Sequence, residues 1–175
     1  MNIKLSRDIA GSILDIGGGG ECVIGQVFRD AVIAVDISQE ELDEAPDCCK
    51  KQLMDARDLR FPDGSFDNVT FFYALMYMSR DTQRQAIAEA VRVLRPGGMI
   101  HIWDADIRSA CPEPFIVDLD IAAGRKTIRV SYGIVKDEAQ DSDAILRHLE
   151  AAGLSPARAS VSKQNGQFFI RATKE

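Results

Sequence analysis

Short apolar runs alternate with stretches of helical spacing along the whole chain. Such alternation predicts strands and helices in turn, the order that builds a doubly wound α/β sheet. Residues 12–16 (SILDI) predict a first buried strand ending at four consecutive glycines, Gly17 to Gly20, and residues 21–30 predict a short helix with Glu21 in its first turn. Residues 31–35 (AVIAV) predict a second strand that ends at Asp36, and Ser38 is placed to cap an acidic helix stopped by Pro46. A third, edge strand is predicted over 51–54, and a Pro-Asp-Gly turn precedes a fourth over 66–72. Ile87, Ala90, Val91 and Leu94 share one face of a helix over 81–94, which Arg95-Pro96-Gly97-Gly98 closes before a fifth strand over 99–103.

Beyond the fifth strand the pattern turns to strict alternation. Val117, Leu119 and Ile121 alternate over 115–121, and Ile128, Val130 and Tyr132 over 127–132, with Ala-Ala-Gly-Arg at residues 122–125 between them. This predicts a β-hairpin. A last helix over 142–152 ends at Gly153, and strands over 159–162 and 168–172 flank an Asn165-Gly166 turn, where antiparallel pairing is natural.

Composition narrows this reading without changing it. The 175 residues suit one domain, and 46% hydrophobic and 27% charged residues support a packed core. A net charge of −6 disfavours an electrostatic grip on nucleic acid or anionic lipid. No apolar run is long enough for a membrane span and the opening residues do not resemble a signal peptide, so a cytoplasmic protein is expected. Cys22, Cys48, Cys49 and Cys111 contain no C-x-x-C pair, and His101 and His148 are the only histidines. No structural metal or disulfide framework is expected, and the vicinal Cys48-Cys49 pair reads as incidental.

The strongest chemical signal is ILDIGGGGE at residues 13–21. Glycines between a strand and a helix allow a sharp turn and a close approach by a ligand. A dinucleotide loop (G-x-G-x-x-G) fails because its sixth position falls on Cys22 or Val23, and a P-loop fails because Gly25 is followed by Gln26-Val27. What remains is Asp15-x-Gly17-x-Gly19, an acid followed by alternate glycines. An anion there is a poor neighbour for pyrophosphate and a good one for a positively charged ligand.

These residues resemble class I S-adenosylmethionine (SAM)-dependent methyltransferases, whose first motif runs D-x-G-x-G-x-G; Glu21 stands where the last glycine is expected. The resemblance continues over most of the chain. It implies a Rossmann-like, mainly parallel seven-stranded sheet with an antiparallel C-terminal strand, plus the hairpin inserted after the fifth strand, all in one domain over 1–175. It implies that Asp15, Gly17, Gly18 and Gly19 hold the amino acid end of SAM, that Asp36 with Ile37 holds the ribose, and that Asp55 and Ala56 hold the adenine, with Tyr73 lining the same site. A carboxylate suits a vicinal diol because it accepts two hydrogen bonds. Helix capping competes for Asp36 and turn formation for Asp55. Glu21 either meets the ligand's ammonium or simply opens the helix.

A methyl acceptor is expected beyond the carboxyl ends of the first, fourth and fifth strands. Tyr73 and Tyr77 are candidates for a methyl channel, with core packing as the alternative, and Asp104 is a candidate base, with a solvated loop carboxylate as the alternative. His101 reads as a core histidine, and Cys111 as a loop cysteine that could also handle a soft acceptor. With 14 residues ahead of Asp15, the amino end is expected to supply no lid. Acceptor specificity is expected in residues 107–135, whose Arg125, Lys126 and Arg129 form a basic edge; a sheet extension or homodimer contact is the competing role. A small-molecule acceptor is preferred, with a protein acceptor open. A non-catalytic SAM-binding protein and a nucleotide-dependent oxidoreductase are the rival functions.

Overall fold

The computed structural model describes residues 2–5, 9–108, 114–123, 126–136 and 138–175, the first three of these in backbone only. Cys111 and Arg125, both singled out above, lie outside the described residues. Among the described residues, four α-helices and ten strands follow in chain order: β1 (Asn2–Lys4), β2 (Ile13–Ile16), α1 (Val23–Phe28), β3 (Val32–Asp36), α2 (Gln39–Glu44), β4 (Lys50–Leu53), β5 (Phe66–Phe72), α3 (Arg80–Val93), β6 (Leu94–Ala105), β7 (Phe115–Ala123), β8 (Lys126–Ile134), α4 (Ser142–Ala151), β9 (Ala159–Gln164) and β10 (Gln167–Thr173).

Seven strands form one sheet in the order β4-β3-β2-β5-β6-β10-β9. β4 through β6 are parallel, and β10 runs antiparallel to both β6 and β9, so the expected α/β architecture is present. Alternation along the strands sorts their side chains to two faces. Leu14, Ile16, Val69, Phe71, Ile100, Ile102, Phe168 and Ile170 face α3 and α4 in one core. Ile13, Val32, Ala34 and Phe72 face a second core on the other side, which contains Val23, Ile24 and Val27 of α1.

The helices start where side chains can satisfy their free N–H groups. Ser38 Oγ accepts from Glu41 N, Ser79 Oγ from Thr82 N and Asp141 Oδ1 from Ala144 N. α1 differs from the expectation: Cys22 precedes it at φ 45° without a side-chain cap, and Glu21 lies in the turn before it. The Arg95–Gly98 segment also differs, because it lies inside β6 rather than closing α3 as a loop. Gly97 at φ 75° bulges the strand between the pairs Phe66–Leu94 and Asn68–Met99, and Gly97 and Gly98 bond across to Lys174. Lys174 Nζ then donates to Val91 O and Leu94 O at the end of α3.

The inserted hairpin does not extend the main sheet. β7 and β8 pair antiparallel over nine residues, and β1 adds parallel to β7, making a separate three-stranded sheet in which the amino end takes part. Val117, Leu119, Ile121 and Val130 point from it into the second core, alongside α1. Among the described residues no helix is long and apolar enough to cross a membrane. Leu119 is 2% exposed while Ile116 on the opposite face is 60% exposed. Leu119→Ala is expected to lower unfolding free energy by about 2 to 4 kcal/mol in urea melts, and Ile116→Ala to change it by less than about 0.5 kcal/mol.

Candidate functional site

The carboxyl ends of β2, β3 and β5 open into a cavity of about 640 Å³, inside the roughly 300–1,000 Å³ range of small-molecule sites. Gly17 to Gly19 form its floor. Gly17 N and Gly18 N both donate to Val35 O, which pulls the loop onto the end of β3. Gly17 has φ 72°, and a Cβ there would lie 2.6 Å from the Ala74 Cβ, so only glycine fits the turn. Gly19 N donates to Asp36 Oδ2 at 3.0 Å, and Gly20 N to Glu41 Oε2 at 2.7 Å. The outer loop amides are therefore met by carboxylates.

Asp36 also accepts from Ser38 N at 2.9 Å. It thus joins the glycine loop to the β3–α2 turn, and Ser38 rather than Asp36 caps α2. Asp15 is buried under the loop with Thr70 Oγ1 donating to it at 2.6 Å. Burial pushes its carboxyl up to about 7 against the hydrogen bond from Thr70. On the opposite rim, Asp55 is gripped by Arg57 through its backbone N and guanidinium, at 2.6 to 3.1 Å. That grip holds the carboxyl below the ordinary range. Ala56 and an exposed Ile37 complete this end.

Among the described residues the cavity lining holds Asp15, Glu21, Asp36, Glu41 and Asp55 against one base, Arg57, so its field favours a cation. All nine residues singled out for the cofactor line it together: Asp15, Gly17, Gly18, Gly19, Asp36, Ile37, Asp55, Ala56 and Tyr73.

The opposite wall is aromatic. Tyr73, at φ 52°, donates from its hydroxyl to Gln167 Oε1 and stacks on Tyr132, ring centroids 5.5 Å apart and 16° from parallel. Tyr77, half exposed, lines the outer part with Met78 and Ser79. Burial pushes the hydroxyls of all three tyrosines up, so they are protonated donors at neutral pH. Sequence reading missed Ser131 and Tyr132, both on β8 and both in the cavity lining. Tyr132 ends the inward series Ile128–Val130–Tyr132, and a polar aromatic closing an apolar series was the available signal.

Asp104 is placed elsewhere. It is fully buried, not a solvated loop carboxylate, and lies outside the cavity lining. Its oxygens accept from Met76 N, Ala105 N and Gln140 Nε2. Gln140 in turn accepts from Gln83 Nε2, which also donates to Leu75 O, while Lys136 Nζ donates to Met76 O and Met78 O. This network holds the 74–78 loop, and hence Tyr73 and Tyr77, from behind. His101 packs beside Trp103 and Phe169, which stack on each other, with Nε2 3.3 Å from Asn68 Oδ1, as a core histidine. Cys22 and the vicinal pair Cys48-Cys49, distant from it in sequence, converge behind the glycine loop.

A methyltransferase-domain family model matches residues 14–102, just over half of the chain, and includes every cavity-lining residue except Ser131 and Tyr132. The chain belongs to the methyltransferase-domain family. This bears out the resemblance to class I SAM-dependent methyltransferases. The domain is 31% identical to the 27-O-demethylrifamycin SV methyltransferase of Amycolatopsis mediterranei, over 93% of this chain and 61% of that protein. It is 36% identical to the demethylmenaquinone methyltransferase of Tropheryma whipplei, over 53% of this chain and 41% of that protein. The chain thus spans less than two thirds of the length of these curated relatives. Among solved structures, a SAM-dependent methyltransferase from Thermotoga maritima, described as a possible histamine N-methyltransferase, superposes with a TM-score of 0.68 at 15% identity, covering 95% of this chain and 83% of that one. The SAM complex of the glycopeptide N-methyltransferase MtfA gives 0.64 at 14% identity, covering 97% and 90%.

Two buried carboxyls give this methyltransferase domain a pH signature. Burial pushes Asp104 up to about 6 and Asp15 to about 7, both from 3.8. Each holds its proton more tightly folded than unfolded, so its stabilising effect is complete below pH 3.8 and is lost as pH rises through the folded value. The stability difference between wild type and Asp15→Asn, from urea melts, is expected to fall by about 2 to 3 kcal/mol between pH 5 and 7.5. A difference that stays constant or rises would contradict the burial of an ionisable Asp15.

Proposed function

We propose that this chain binds SAM in the 640 Å³ cavity and transfers its methyl group to a small-molecule acceptor. The observation that carries the reading is the acid-lined cavity above the glycine loop. SAM is cationic at its sulfur and its amino group, and a lining with Glu21, Asp36, Glu41 and Asp55 beside the partly protonated Asp15 suits it, whereas it would repel a pyrophosphate. In this reading Asp15 and Glu21 lie toward the ammonium end, with Gly17 to Gly19 giving the backbone approach. Asp36, anchored by Gly19 N and Ser38 N, keeps lone pairs for the two ribose hydroxyls. Asp55 and Ala56 take the adenine edge.

When bound, SAM supplies a methyl group on a positively charged sulfur. The chain's part is then to align an acceptor with it and exclude competitors. Tyr77, Tyr132 and Ser131 bring hydroxyls to an apolar wall that Tyr73, its own hydroxyl taken up by Gln167, supports by stacking on Tyr132, a surface suited to orienting a small amphipathic molecule. No histidine or lysine lines the cavity among the described residues, so the reading assigns the rate mainly to positioning. A small-molecule acceptor is also supported by the names of the relatives, which act on a rifamycin and on demethylmenaquinone.

In calorimetric titrations, Asp36→Ala is expected to weaken SAM by about 1 to 3 kcal/mol while the protein stays folded, because the diol loses its acceptor. Unchanged affinity would remove Asp36 from the site. With SAM present, S-adenosylhomocysteine is expected to accumulate in the presence of small-molecule metabolite extracts. Saturable SAM binding with no turnover in any extract would favour a binding protein over an enzyme.

A further inference from the structure

Three sulfurs meet behind the glycine loop. Cys22 precedes α1, and Cys48 and Cys49 lie in the turn between α2 and β4. Cys22 Sγ is 3.4 Å from Cys49 Sγ and 3.9 Å from Cys48 Sγ, and all three sulfurs lie within 4.8 Å of one another. The three thiols are free, with Cys22 and Cys48 buried and Cys49 partly so. Twenty-six residues separate Cys22 from Cys48, which is why no ligand spacing was visible along the chain.

The helix facing them is shaped for this convergence. Gly25 lies within α1, one turn beyond Cys22, where a glycine costs about 0.5 to 1 kcal/mol relative to alanine. A Cβ on Gly25 would lie 2.5 Å from Cys22 Sγ, 2.6 Å from Cys49 Sγ and 3.2 Å from Cys48 Sγ. The missing side chain is thus the space the three sulfurs occupy, and alanine, the better helix former, would drive them apart. Cys22 itself holds a left-handed backbone at φ 45°, uncommon for a residue other than glycine, which turns its sulfur toward the other two.

We propose that Cys22, Cys48 and Cys49 form a three-sulfur site for a soft monovalent metal ion of the Cu(I) type. Among the described residues no histidine or carboxylate joins the cluster. A donor set of sulfur alone selects soft ions. Zinc in a closed structural site takes four ligands, and among the described residues three converge here. The surroundings are apolar, with Val23, Ile24, Val27 and Ala45 in the same core as Cys22 and Cys48, which excludes hard, strongly hydrated cations. Cys22 N donates to Gly18 O, so an ion at this site would tie the glycine loop to the α2–β4 turn. The proposal concerns a second site and does not depend on what the cavity binds.

The test uses the full chain, reduced and oxygen-free, titrated with Cu(I) in competition with a chromophoric Cu(I) chelator, and separately with Zn(II). One Cu(I) per chain is expected, with ultraviolet sulfur-to-copper absorption and a raised melting temperature. Cys49→Ser, at the partly exposed ligand, is expected to weaken Cu(I) by roughly 100-fold or more with the fold intact by circular dichroism. Cys111→Ser is expected to leave affinity unchanged. Gly25→Ala keeps every thiol but fills their space, and is expected to weaken Cu(I) as well. Unchanged Cu(I) affinity in either Cys49→Ser or Gly25→Ala would overturn the site, and tight Zn(II) binding without tight Cu(I) binding would overturn the ion class.

Discussion

The carboxylate of Asp36 joins the two segments that shape the cavity, accepting one hydrogen bond from Gly19 N and another from Ser38 N. The loop between β2 and α1 has no side chains of its own over four residues, so its position depends on what its amides bond to. Val35 O takes the first two, Asp36 the third and Glu41 the fourth. Because two of those partners are anionic, the loop that would cradle a phosphate in other folds is here already neutralised and surrounded by further acids. The same geometry that forms the cavity therefore sets the charge of what it can hold.

The second constraint comes from the far wall. A doubly wound sheet can cover both faces with helices, but here one face is covered partly by a second sheet, whose inner residues Val117, Leu119 and Ile121 pack into the core beside α1. That packing brings Tyr132 into a stack with Tyr73. Tyr73 is fixed from the other side by Gln167 and by the loop that Asp104, Gln140 and Lys136 support. The geometry of the tyrosine wall is thus coupled to buried polar groups outside the cavity lining, and a change in Asp104 would act through the position of the tyrosines.

Local periodicity made most of the framework legible. β2, β3, β5 and α3 follow from apolar spacing bounded by glycine, proline and capping residues, and the acid-glycine pattern at Asp15, Gly17 and Gly19 pointed to the cavity floor. What was illegible depends on contacts between distant segments. β1 is three residues long and exists through pairing with β7, more than a hundred residues away. The Arg95–Gly98 bulge is held by Lys174 near the other end of the chain. Asp104 looked like a loop carboxylate because its partners, Met76 and Gln140, lie in other elements. The three cysteines converge only once α1 and the α2–β4 turn are packed together.

In the proposed function the glycine loop and Asp36 hold SAM. Nuclear magnetic resonance locates binding residue by residue, and the amides of Gly17, Gly18, Gly19 and Ala56 serve as reporters. On titration with SAM, these amides are expected to shift together and saturate at one equivalent, while Gly166, beside the shallower cavity of Asp106, Arg108 and Phe115, stays in place. Shifts confined to Gly166 and its neighbours, or no shift at the glycine loop at saturating SAM, would contradict the account.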